Sequence, residues 1–119
     1  MTMHLVRKTP PQSIMQAVSQ VSGFSPEELK AGGKGGTICQ WRYLGMYVAR
    51  ERGHTMRVSG ELFGKHYSSV NWAVQKVESN METVRPTLKA VNNILDKEDE
   101  HYQEFLNDQA EHSATQQEV

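Results

Sequence analysis

The chain of 119 residues has 13 Lys and Arg against 14 Asp and Glu, a net charge of -1, 37% hydrophobic residues and one cysteine. That length supports a single hydrophobic core with no second domain beside it. No apolar run approaches membrane-spanning length and no signal-peptide core follows Arg7 and Lys8, so a cytoplasmic protein without a membrane partner is expected. Lone Cys39 cannot form an internal disulfide, and its neighbours Ile38, Trp41 and Leu44 predict a buried thiol packing as a small hydrophobe. The net charge conceals segregation: residues 1–95 carry 12 basic against 6 acidic residues, whereas residues 96–119 hold eight acidic residues against Lys97. A basic body attracts phosphate. An acidic tail either solubilises the chain or competes with nucleic acid for that body.

In chain order, residues 1–12 read as a flexible arm, because Pro10-Pro11 delays helix formation to about Ser13. Ile14, Val18 and Val21, with Met15 alongside, describe an amphipathic helix stopped by Gly23. Ser25-Pro26-Glu27-Glu28 is a capping box with proline at the first helical position, opening a short helix that buries Phe24 and Leu29 and ends by Gly32. The segment Gly32-Gly33-Lys34-Gly35-Gly36 is no phosphate-binding loop, since Lys34 is followed by Gly rather than Ser or Thr and no strand precedes it. A hinge or backbone-contacting loop with one cation is the reading adopted. Thr37-Ile38-Cys39-Gln40 predicts a second capping box and a long helix to Arg52, closed by Gly53. Its apolar side is Ile38, Trp41, Leu44, Tyr47 and Val48, with Arg42, Arg50 and Arg52 spread over the rest.

Residues 54–77 predict two helices joined by a tight turn. The first has Thr55 as N-cap, Met56, Ser59, Leu62 and Phe63 at helical spacing, and Gly64 as left-handed closure. Lys65-His66-Tyr67 forms the turn. The second helix places Val70, Ala73, Val74 and Val77 on one buried stripe and turns Ser68, Asn71, Trp72 and Gln75 outward. A solvated helix face is ordinarily rich in Glu and Lys; this one offers a hydroxyl, two amides and an indole. Asn and Gln pair bidentately with adenine and Ser bonds several bases, so the pattern suits a helix-turn-helix in the DNA major groove. Thr83 is then read as the cap of a last helix carrying Val84, Leu88, Val91 and Leu95, with Pro86 in its first turn. Residues 96–119 read as an acidic, largely disordered tail in which Tyr102, Phe105 and Leu106 form a small apolar cluster able to dock on the body or on a protein partner.

No metal site is expected, because His54 and His66 lie at opposite ends of one helix, Cys39 lies on another, and no zinc spacing occurs. No nucleophile, base and orienter stand out. A non-enzyme without cofactor or nucleotide is expected.

The order of elements from Ile14 to Glu78 resembles the C-terminal DNA-binding domain of the bacterial chromosomal replication initiator DnaA. That family has a long helix patterned Arg-Gln-x-Ala-Met-x-Leu-Ala-Arg-Glu, and a helix-turn-helix ending Phe-Gly-Gly-Arg-Asp-His-Thr-Thr-Val. Here the corresponding stretches are Arg42-Tyr43-Leu44-Gly45-Met46-Tyr47-Val48-Ala49-Arg50-Glu51 and Phe63-Gly64-Lys65-His66-Tyr67-Ser68-Ser69-Val70. The turn is one residue shorter and lacks the Asp, and the family's Arg-rich loop is replaced by the glycine segment. The resemblance implies that Lys65 stands near the family's turn arginine, His66 or Tyr67 near its Asp-His pair, and Ser68 and Ser69 at its paired threonines. The expectation is an all-α bundle of the Trp-repressor/DnaA C-terminal-domain kind, with residues 13–95 as a stand-alone double-stranded DNA-binding domain. Its contact residues would be Lys34, Arg42, Arg57, Lys65, His66, Tyr67, Ser68, Ser69, Asn71, Trp72 and Gln75. The alternative is a protein-interaction adaptor that keeps the fold without DNA contacts, engaging a partner through Trp72 and the tail.

Overall fold

The computed structural model describes residues 9–31 and 35–118, with side chains to Asp108. The described residues form an all-helical bundle: α1 (Pro11–Ser22), α2 (Pro26–Lys30), α3 (Gly36–Glu51), α4 (Met56–Leu62), α5 (Ser68–Ser79) and α6 (Met81–Glu118). Among them no helix is long and apolar enough to cross a membrane.

Helix α1 begins at Pro11, earlier than the double proline suggested, because a proline at the first helical position has no intrahelical N–H bond to lose. Of the arm read at residues 1–12, residues 1–8 lie outside the described residues; Thr9 is buried, and the His54 ring contacts its carbonyl. Gly23, at φ 83°, ends α1 as a left-handed cap. In α2 the capping box closes both ways, Glu28 N–H donating to Ser25 Oγ at 3.1 Å and Ser25 N–H to Glu28 Oε1 at 3.0 Å.

Helix α3 is the central element, packing against α1, α4 and α5. Ile14, Val18, Leu29, Leu44, Met46, Phe63, Val70, Val91 and Leu95 meet in one core around it. Two expectations fail at its ends. Gly35, not Thr37, is the N-cap and no side chain caps the helix; Thr37 lies inside the first turn and is exposed. Cys39 is half-buried rather than buried. Gly53 does close the segment at φ 94°.

Helix α6 starts at Met81, immediately after the Asn80 C-cap of α5, so Thr83 is not its cap and Pro86 lies beyond the first turn. There the missing proline N–H deprives the Glu82 carbonyl of its i+4 donor; both residues are exposed, so water can serve that carbonyl. Val91 and Leu95 are buried, and Val84 and Leu88 pack beside them. Arg52, at the end of α3, ties α6 to the body, pairing with Asp96 at 2.9 Å and Asp99 at 3.3 Å and donating to Asn92 Oδ1 at 2.9 Å. Composition turns acidic at Asp96, but the backbone does not break there: α6 stays helical to Glu118.

Candidate nucleic-acid interface

The α4–α5 segment is built from local signals. Thr55 Oγ1 accepts from Val58 N–H at 3.1 Å and starts α4. Gly64, at φ 67°, then reverses the chain, and Lys65 N–H donates to Gly60 O at 2.8 Å. A Cβ at Gly64 would collide with the Lys30 carbonyl, and one at Gly60 would crowd the backbone of Lys65 and His66. Glycine is therefore needed for close approach at both positions. Phe63, fully buried, lies with its ring where a Cβ of Gly45 would be, which locks the turn onto α3.

Helix α5 leaves this turn without a conventional N-cap, since Tyr67 is itself in helical conformation. His66 takes over that role. Ser68 N–H donates to His66 Nδ1 at 3.3 Å, and the Ser68 hydroxyl lies 2.9 Å from the same nitrogen. With Nδ1 as acceptor the ring proton sits on Nε2, a donor on an exposed side chain. The ring also stacks on Tyr67, with centroids 4.2 Å apart.

Val70, Ala73 and Val77 are buried and Val74 half-buried, so α5 presents Ser68, Asn71, Trp72 and Gln75 outward as the spacing predicted. Together with His66 and Tyr67 they form one continuous exposed face; Lys65 and Ser69 border it half-buried. Trp72 and Tyr67 are 53% and 54% exposed. Sequence reading missed Lys76, whose ammonium lies 5.0 Å from the Trp72 ring centroid. The i, i+4 spacing of the two residues was the available signal.

The other cations divide. Arg57 is exposed on α4 and pairs with Glu61 at 3.0 Å. Lys34 lies outside the described residues. Arg42 is no surface cation: only 1% exposed, it donates from Nε to Leu29 O at 2.6 Å and from Nη2 to Glu28 O at 3.0 Å and to Ala31 O. It thus fills the carbonyl end of α2, where a helix leaves acceptors unsatisfied and attracts positive charge. The sequence hid this because the spacing of α3 gives an arginine on its flank no visible partner thirteen residues upstream.

No family model matches the chain. It is 30% identical over 81 residues to the chromosomal replication initiator protein DnaA of Kosmotoga olearia, a match covering 67% of this chain and 18% of that protein. It is 27% identical over 73 residues to the DnaA of Pseudothermotoga lettingae, covering 60% of this chain and 16% of that one. The chain is similar to a part of DnaA. It spans less than a fifth of the length of these DnaA relatives.

Proposed function

We propose that the chain is a double-stranded DNA-binding domain of the DnaA C-terminal type, in which α4, the turn and α5 form a helix-turn-helix and α5 reads bases in the major groove. The observation that carries this reading is the outward face of α5: a hydroxyl, two amides and an indole, with Lys65 and Lys76 as phosphate-directed cations beside them. The names of the relatives add replication initiation as the setting, and an accessory replication factor or a transcription regulator is the role proposed.

Duplex titration at several salt concentrations tests the reading. Removing one phosphate contact, as in Lys65→Ala, should weaken all sequences alike and reduce the salt slope by about one unit, whereas Asn71→Ala should cost about 1–3 kcal/mol only on the preferred sequence. The exposed Tyr67 and Trp72 also favour a second reading, an adaptor that docks protein on this face. No duplex retention at low salt would select that one.

A further inference from the structure

Helix α6 carries its own apolar stripe out of the bundle. Val91 and Leu95 are buried against the body, and Tyr102 and Phe105 continue their heptad register on the same helix. Arg52 holds Asp96 and Asp99 to the body; from Glu100 to Asp108 every residue except Leu106 is exposed, and Phe105 is 56% exposed. A helix of 38 residues is about 57 Å long, comparable to the 61 Å long axis of the molecule, whose other dimensions are 28 and 27 Å. The end of α6 is therefore an arm, and Phe105 does not settle on the bundle.

That arm is one-sided in charge. Residues 100–108 contain Glu100, Glu104 and Asp108 and no Lys or Arg. Pairing of two such arms would oppose carboxylate to carboxylate, which disfavours a tip-to-tip contact. The same chain offers the complementary surface: the outward face of α5, with exposed Tyr67 and Trp72 beside Lys65 and Lys76. We propose that the end of α6 docks through Phe105 and its flanking carboxylates on the α5 face of a second copy, occupying the surface assigned above to DNA.

The contact is heterologous, tip to face, so each copy offers one of each and association either closes or propagates. The competition with DNA rests on the proposed function; the self-association does not. Two exposed aromatics on the face and Phe105 on the tip supply the burial that holds an interface centre, and the charges supply its orientation.

Sedimentation of the full chain decides it. Wild type should self-associate at low salt and dissociate when salt is raised about tenfold, as an interface oriented by exposed charges does. Trp72→Ser and Phe105→Ser change exposed side chains on opposite partners; each alone should be monomeric, and their equimolar mixture should regain a dimer through the one intact tip and the one intact face. A wild type that stays monomeric overturns the proposal, as does a Trp72→Ser variant that assembles like wild type or a mixture that stays monomeric. Because wild type alone reports the salt response, misfolding of a variant does not leave the question open. Short duplex should dissolve the wild-type assembly, and an assembly that binds duplex and persists shows that the face is not shared and overturns it. If the chain binds no duplex at all, the DNA reading falls and the mixing result still stands on its own.

Discussion

Arg42 shows how one buried side chain can be read in opposite ways. On a helical wheel it is a flank cation, but its guanidinium closes the end of α2 by donating to the carbonyls of Glu28, Leu29 and Ala31. Removing it deprives the Leu29 and Ala31 carbonyls of this donor, while the Glu28 carbonyl keeps a bond from Ala31 N–H at 3.3 Å, and each unsatisfied group costs about 1–3 kcal/mol unless water reaches it. Arg42→Ala should therefore lower unfolding free energy by about 3 kcal/mol in denaturant titration, and Arg42→Lys should not rescue it, because a lysine lacks the planar fork. In the fraction that stays folded the salt slope of DNA binding should be unchanged; a slope reduced by about one unit would return Arg42 to the phosphate contacts. Asn71 and Gln75 belong to the opposite class: both are exposed on α5, so their alanine variants should keep wild-type stability within about 0.5 kcal/mol while changing which duplexes bind.

Among the elements, α3 and the turn beyond α4 act as one unit, because the Phe63 ring occupies the space over Gly45. Gly45→Ala raises helix propensity yet puts a methyl into that ring, and overpacking of this kind costs about 1–3 kcal/mol. The variant should be destabilised in denaturant titration despite the better helix former; a gain in stability would show that Phe63 moves freely and does not lock the turn. Pro86 allows the reverse test. It stands in the second turn of α6 on an exposed side, so Pro86→Ala should raise the melting temperature, and a fall would mean that the proline sets a bend on which the packing of α6 depends.

These elements also show what was legible in the chain. Apolar spacing placed α1, α5 and the body of α3, and Gly23, Ser25, Gly53, Thr55 and Gly64 marked ends of α1 to α4, because capping and left-handed backbone depend on residues next to each other in sequence. Thr37 and Thr83 misled for the same reason: both resemble caps, but the helices begin two and three residues earlier than such caps imply, at Gly36 and Met81, where packing of α3 and the continuity of α5 with α6 set the start. The outward face of α5 was legible residue by residue. The role of Arg42 was not, since nothing local connects it to α2, and Lys76 was overlooked although its spacing from Trp72 was visible.

For the whole molecule, charge and shape are segregated along one axis. Residues 1–95 carry the basic surplus and the α5 face, and the acidic residues from Asp96 onward ride on the far end of α6. This arrangement carries the acidic stretch on a helix that runs on from the bundle, and under the docking proposed above a second copy's arm and duplex compete for the same α5 face. Selection of bound sequences from a random duplex pool, run in parallel on the wild type and on the Asn71→Ala/Gln75→Ala double variant, tests the central claim most directly. The wild type should enrich one motif, and the double variant should retain duplex at low salt while losing preference at the positions those amides read. Equal enrichment by both proteins, or no retention of duplex by the wild type at low salt, would contradict base reading by α5.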